Sequence, residues 1–190
     1  MRVNVRSNLA GKMRKKNFRK KFSRCQNRQT RFTKLKFMDL VIWRHAEAVD
    51  WQEDCDDLDR ALTARGYKQA IRMAEWLDRQ LPEGTRIFSS PARRCEDTVR
   101  RLDRKYKLHK NLLPESSADE LLASMQWPTS KGTFLLVGHQ PMIGQIIAQS
   151  LGLKDSACAV RKASVWWLRS RERDGQRQTV LVTVQSADML

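Results

Sequence analysis

Two imidazoles and several guanidiniums stand just after apolar runs in this chain. Arg44 and His45 close the run Leu40-Val41-Ile42-Trp43. Arg93 and Arg94 follow Ile87-Phe88-Ser89-Ser90-Pro91-Ala92. His139 follows Leu135-Leu136-Val137-Gly138. An arginine fork binds phosphate oxygens in pairs and keeps its charge at any working pH. A neutral imidazole is a nucleophile that can carry a covalent intermediate. Cationic donors around the equatorial oxygens stabilise the transition state of phosphoryl transfer. The set therefore suits phosphoryl chemistry without a cofactor. Only three histidines exist, and the four cysteines Cys25, Cys55, Cys95 and Cys158 form no C-x-x-C pair. That pattern argues against a structural zinc site or a disulfide framework, and for a reducing, cytoplasmic setting.

The chemistry needs elements that carry the three segments to one edge. Phe37 to Trp43 suits a buried strand. Over Leu62 to Leu81, Ala70, Met73, Ala74 and Leu77 recur at helical spacing, Thr63 is the expected N-cap, and Pro82 and Gly84 stop the helix. Arg86 to Ser89 reads as a strand. Pro91 is expected to open a helix at its favoured first position, running to about Tyr106. A shorter helix is expected from Ser117 or Ala118 to Met125, with Asp119 and Glu120 in its first turn. Thr133 to Val137 reads as a strand, and Pro141 as the start of a helix to about Leu151. Strands near Ala163–Arg169 and Gln178–Gln185 flank a turn at Asp174-Gly175. This alternation predicts an α/β fold, a three-layer α/β/α sandwich around a mostly parallel sheet, with the last hairpin as an antiparallel edge. Ligands bind at the carboxyl ends of parallel strands, so the three segments should meet in one crevice. Helix starts at Pro91 and Pro141 would add favourable sites for an anion.

The net charge of +16 is unevenly spread. Residues 1–36 hold 14 of the 37 Lys and Arg and none of the 21 Asp and Glu. The basicity thus belongs to a tail, and residues 38–190 are close to neutral. Residues 1–37 read as a basic, disordered extension. It is a binder of anionic surfaces, a transit peptide, or an artefact of a start codon chosen ahead of Met38. Nucleic acid is not expected as a partner of the domain itself. The longest apolar runs fall far short of the roughly 20 residues a membrane helix needs, so no membrane partner is expected.

Taken in order, Arg44-His45-Ala46, then Ser90-Pro91-Ala92-Arg93-Arg94-Cys95-Glu96-Asp97-Thr98, then Gly138-His139 resemble the signature of the histidine phosphatase superfamily, with its phosphoglycerate mutase-like fold. The short length, Glu47-Ala48 and Leu62-Thr63-Ala64-Arg65-Gly66 are similar to the small bacterial phosphohistidine phosphatases of that superfamily. The resemblance implies a metal-independent phosphatase with His45 as nucleophile. It implies that Arg44 and Arg94 grip the phosphoryl oxygens and that His139 and Ser90 contact them. It also implies a partner protein bearing phosphohistidine, such as a phosphorelay or phosphotransfer domain.

Two departures stand out. Ala46 occupies the family's glycine position, which would strain the backbone by roughly 1–2 kcal/mol if φ is positive there. Cys95 replaces the usual alanine and reads as packing. No general acid is evident. Glu47 and Glu115 are the candidates, and a surface role is the default for both. A phosphohistidine substrate removes the need for an acid, because imidazole leaves far more readily than an alkoxide. Two other functions compete: a phosphatase for small phosphate monoesters, and a phosphoprotein-binding module without turnover. Trp51 and the acidic loop Glu53 to Asp59 follow the His45 strand and have two readings, a border of the site mouth and, as the default, simple solvation; one ring of Trp166-Trp167 is expected in the core with the other outward.

Overall fold

A computed structural model describes residues 37–190 apart from Cys55. The basic segment read as a disordered extension lies outside the described residues up to residue 36. The apolar run at the start of the domain forms β1 (Phe37–Arg44). Along it Val41 and Trp43 face one core, while Met38, Leu40 and Ile42 face another. This two-sided burial explains why the run is continuously apolar rather than alternating.

The remaining elements are α1 (Ala64–Gln80), β2 (Arg86–Ser89), α2 (Arg93–Val99), β3 (Lys107–Leu108), α3 (Ala118–Ser124), β4 (Gly132–Gly138), α4 (Met142–Leu151), β5 (Val165–Arg173) and β6 (Gln176–Gln185). The six-stranded sheet has the order β3-β2-β4-β1-β5-β6. The first four are mutually parallel, and β5 and β6 complete the sheet antiparallel. Helices α1 and α2 cover one face; α3 and α4 cover the other. This is the expected α/β/α sandwich with an antiparallel edge.

Local signals explain most boundaries. Thr63 caps α1 by accepting the Gly66 amide at 2.9 Å, and Ser117 caps α3 through the Glu120 amide. Gly152, at φ 64°, ends α4. Asp174 and Gly175, both at positive φ, make the two-residue turn between β5 and β6.

Three expectations need correction. The helix after Pro91 starts only at Arg93, because its cap, Ala92, is extended at φ −63° and ψ 134°. It ends at Val99 and passes into a 3-10 turn, Arg100–Leu102, closed by Asp103 at φ 53°. The next residues form β3 instead of more helix. Trp167 is buried as expected, but Trp166 is half-buried against the second core instead of facing outward.

Gly66 is fixed by a close approach. A Cβ there would lie 1.9 Å from the Glu47 carbonyl oxygen, a backbone atom that cannot rotate away. Gly66→Ala should therefore push α1 off the segment that follows His45. A loss of about 3 kcal/mol is expected, at the upper end of overpacking costs. Urea unfolding of the purified variant measures it; an unchanged midpoint would mean that this packing is absent.

Candidate active site

The three motif segments leave the sheet side by side. Arg44 at the end of β1 is in register with Gly138 at the end of β4, and Ser89 of β2 pairs with Val137. The His45 amide then donates to the Gly138 carbonyl at 3.1 Å, and the Ser90 amide donates to the Val137 carbonyl at 3.0 Å. Ladder hydrogen bonds thus place His45, Ser90 and His139 at one carboxyl edge, as the strand pattern predicts.

His45 is buried, and its Nδ1–H donates to the Ala46 carbonyl at 2.8 Å. That bond fixes the tautomer and leaves the Nε2 lone pair free. Burial lowers the His45 pKa; the Ala46 bond pulls it back, and the charges of His139, Arg94 and Arg44 add to the depression, leaving it at about 3. The ring is therefore neutral near pH 7, the state a nucleophile needs.

Ala46 fits its place without strain. Among the described non-glycine residues, positive φ occurs at Asp103, Gln126, Ala163 and Asp174, and Ala46 is not one of them. Its amide donates to Thr98 Oγ1 at 3.1 Å, and that hydroxyl donates to the Arg94 carbonyl at 2.7 Å. Thr98 thereby ties the His45-Ala46 segment to α2. The left-handed residue of this region is Ala163, at φ 58°, whose amide donates to the His45 carbonyl at 3.1 Å.

His139 faces His45 with ring centroids 5.3 Å apart. Its Nδ1 accepts from Arg94 Nε at 3.2 Å, so the ring proton sits on Nε2 and is donated to Ser90 Oγ at 2.7 Å. Burial first, then the Arg94 charge, lowers its pKa to about 3. Cys95 Sγ lies 3.5 Å from His139 Nε2. Burial raises the Cys95 pKa, so the thiol stays protonated and packs against the ring.

Arg94 is 3% exposed. Besides its bond to His139, its Nη1 donates to the Asp57 carbonyl at 2.5 Å and its Nη2 to Asp57 Oδ2 at 2.8 Å. Arg44 spends Nη1 on the Val160 carbonyl and leaves its buried Nε unpaired. Its pKa is lowered by burial. Arg93 points away, toward Asp97 and solvent.

The two candidate acids are not part of this group. Glu47 Oε1 accepts from Thr63 Oγ1 at 2.8 Å, and Oε2 lies 3.7 Å from Arg65, so Glu47 braces the start of α1. Glu115 is exposed in the turn before α3. The carboxylate that reaches the site is Asp57, so the acidic loop borders the site, the less favoured of its two sequence readings. Nothing in the sequence separates it from Glu53, Asp54, Asp56 and Asp59. Among the described residues, no group of three or more His, Cys, Asp or Glu side chains is placed to hold a metal ion. A cavity of about 760 Å³, lined among others by Arg86, Arg104 and Tyr106, lies at the β2–β3 edge, away from His45.

Both buried histidines resist protonation, which links folding to pH. The unfolded chain takes up protons below pH 6.5, and the folded chain does so only near pH 3. Stability is thus fully present above pH 6.5 and falls as pH drops. The expected slope is about 1.4 kcal/mol per pH unit for each histidine. Urea titrations between pH 6.5 and 4.5 read this slope before most carboxylates titrate. His45→Asn should remove about half of it, whereas a flat wild-type profile would contradict the burial.

Two imidazoles and two arginines gathered at the carboxyl edge of a largely parallel α/β/α sheet make a cationic cluster suited to a phosphoryl group, on a phosphoglycerate mutase-like fold. The family model described as "Histidine phosphatase superfamily (branch 1)" matches residues 40–117, which include the first two motifs. The chain is 27% identical over 133 residues to the "Phosphohistidine phosphatase SixA homolog" of Haemophilus influenzae, covering 62% of this chain and 80% of that protein. It is 28% identical over 120 residues to the "Phosphohistidine phosphatase SixA" of Escherichia coli, covering 59% of this chain and 73% of that protein. A solved structure of the protein histidine phosphatase SixA complexed with tungstate shares the fold, with a TM-score of 0.67 at 21% identity, covering 80% of this chain and 99% of that one. The chain thus resembles the histidine phosphatase superfamily, and SixA within it.

Proposed function

We propose that the chain removes the phosphoryl group from phosphohistidine on a protein, through a covalent phosphohistidine on His45. The observation that carries this reading is the tautomer-fixed, neutral His45 ring, whose centroid lies 5.3 Å from that of His139 and which feels the charges of Arg94 and Arg44. In the first step a bond forms between His45 Nε2 and phosphorus as the substrate's N–P bond breaks. A substrate ring protonated on its second nitrogen leaves as neutral imidazole, so no side-chain acid has to supply a proton. This matches Glu47 and Glu115 lying outside the cluster. In the second step water attacks phosphorus, the Nε2–P bond breaks with its electron pair returning to Nε2, His45 leaves as the neutral Nδ1–H imidazole, and the water's two protons leave on inorganic phosphate or pass to solvent.

Arg94 and the unpaired Nε of Arg44 supply charge to the equatorial oxygens. A phosphoryl oxygen entering beside Ser90 competes for the His139 Nε2 proton. The chemistry draws only on side chains, so the rate is independent of added metal. The natural partner is a cytoplasmic phosphorelay or phosphotransfer protein. Among the described residues no helix is long and apolar enough to cross a membrane.

The test is a substrate panel assayed with and without EDTA. Hydrolysis of a phosphohistidine protein well above that of sugar phosphates, unchanged by EDTA, is the expected result. Preference for sugar phosphates would favour a monoesterase, and binding without turnover would favour an adaptor. Loss of activity in EDTA would reject the metal-free mechanism.

A further inference from the structure

Asp57 makes contacts that the proposed reaction does not use. Its carboxylate bridges two guanidiniums: Oδ2 accepts from Arg94 Nη2 at 2.8 Å, and Oδ1 lies 2.8 Å from Arg60 Nη2. Its backbone carbonyl accepts from Arg94 Nη1. Both terminal nitrogens of the most buried arginine of the site are therefore committed to one residue. An anion bridging two arginine forks through separate oxygens is how a phosphoryl group would be held. We propose that Asp57 is an internal anion occupying part of the phosphoryl subsite, and that the substrate's phosphoryl group must displace it from Arg94.

The partners are unequal in a way that sets which one moves. The Arg94 side chain is 3% exposed and anchored by Nε to His139, whereas the Asp57 side chain is 44% exposed. Asp57 opens a 3-10 turn, Asp57–Asp59, on the segment between Val49 and Ala61. That segment is pinned at its base by the Ala48–Leu62 bridge and the Val49–Ala61 hydrogen bond, so Asp57 can withdraw while the base stays in place. Partial burial raises the Asp57 pKa, but the hydrogen bonds and charges of Arg94 and Arg60 outweigh it and leave the pKa below its usual value. Asp57 is thus ionised wherever the enzyme works and holds no proton to give a leaving group. Its role is competition: a dianionic phosphoryl group, with more charge and more acceptor oxygens, displaces it, and a lone carboxylate gains nothing over it. Asp57 would therefore select phosphoryl groups over carboxylate-bearing ligands.

This inference rests on Arg94 as a phosphoryl ligand, and the experiment separates the two. Inorganic phosphate binding to the full-length protein is measured by calorimetry for wild type, Asp57→Asn, Asp57→Ala and Arg94→Ala, with circular dichroism to verify folding. Both Asp57 variants are expected to bind phosphate at least tenfold more tightly than wild type, and acetate to compete better with phosphate in them. Steady-state kinetics should show a lower KM in Asp57→Asn. Equal or weaker phosphate binding in both Asp57 variants, with binding lost in Arg94→Ala, would overturn the inference and make Asp57 a residue that only orients Arg94. Binding indifferent to Arg94→Ala would overturn the phosphoryl role of Arg94 itself, and the inference with it.

Discussion

Replacing His45 with asparagine is expected to reduce turnover of a phosphohistidine protein by at least about 10⁴-fold, in line with the loss of other covalent nucleophiles. Among the described residues, the groups beside His45 offer no substitute. His139 is the other imidazole in the cluster, but its Nδ1 lone pair is spent on Arg94 Nε and its Nε2 carries the ring proton. Cys95 is fully buried, and burial holds its thiol protonated. Asparagine retains a polar side chain of similar reach, so the variant should remain folded. Single-turnover assays at saturating substrate measure the loss, and residual activity within tenfold of wild type would mean that another group attacks phosphorus.

Arg94→Lys is the second large effect. One guanidinium here makes three bonds, to His139 Nδ1 and to both the carbonyl and the carboxylate of Asp57. A lysine ammonium has the charge but no planar fork, and it cannot hold the His139 lone pair and bind two oxygens at once. Two consequences should combine. The phosphoryl oxygens lose a bidentate ligand, and the His139 ring loses the bond that fixes its proton on Nε2. The expected fall in kcat/KM is about 10²–10³-fold, the range seen when a preorganised donor to a developing charge is removed. Most of it should appear in kcat. A loss below fivefold would show that charge alone at this position is enough.

The sequence made the frame of this site legible because each motif follows an apolar strand whose length and composition leave little choice. β1, β2 and β4 fall within a residue or two of where the apolar runs put them, and Thr63 caps α1 as its spacing suggests. Parallel register then brings Arg44, Ser90 and His139 together with no further information. Other features depend on contacts that no local pattern encodes. β3 is two exposed residues long, too short to show a period. The sequence after Pro91 reads as helix to about Tyr106 because Arg100 to Tyr106 are ordinary helix-forming residues, but Asp103 in the left-handed region breaks the run.

Ala46 shows the same division. From sequence, a missing glycine raises the question of strain. The answer depends on a φ value, and the left-handed conformation falls instead on Ala163, more than a hundred positions away. Asp57 is the clearest case. It is one of several carboxylates in a loop whose place after the His45 strand suggests a site border but whose composition does not single out Asp57, and its meeting with Arg94 arises because the loop folds back over the carboxyl edge of the sheet. The pairing spans 37 positions.

The central claim is that phosphorus becomes bonded to His45. Wild-type protein mixed with a radiolabelled phosphohistidine protein and quenched in alkali within milliseconds should carry label on its own chain. That label should be stable to base, labile to acid, located in the peptide containing His45, and absent in His45→Asn. Full hydrolysis with no labelled enzyme at any quench time, or label on any other residue, would contradict the account.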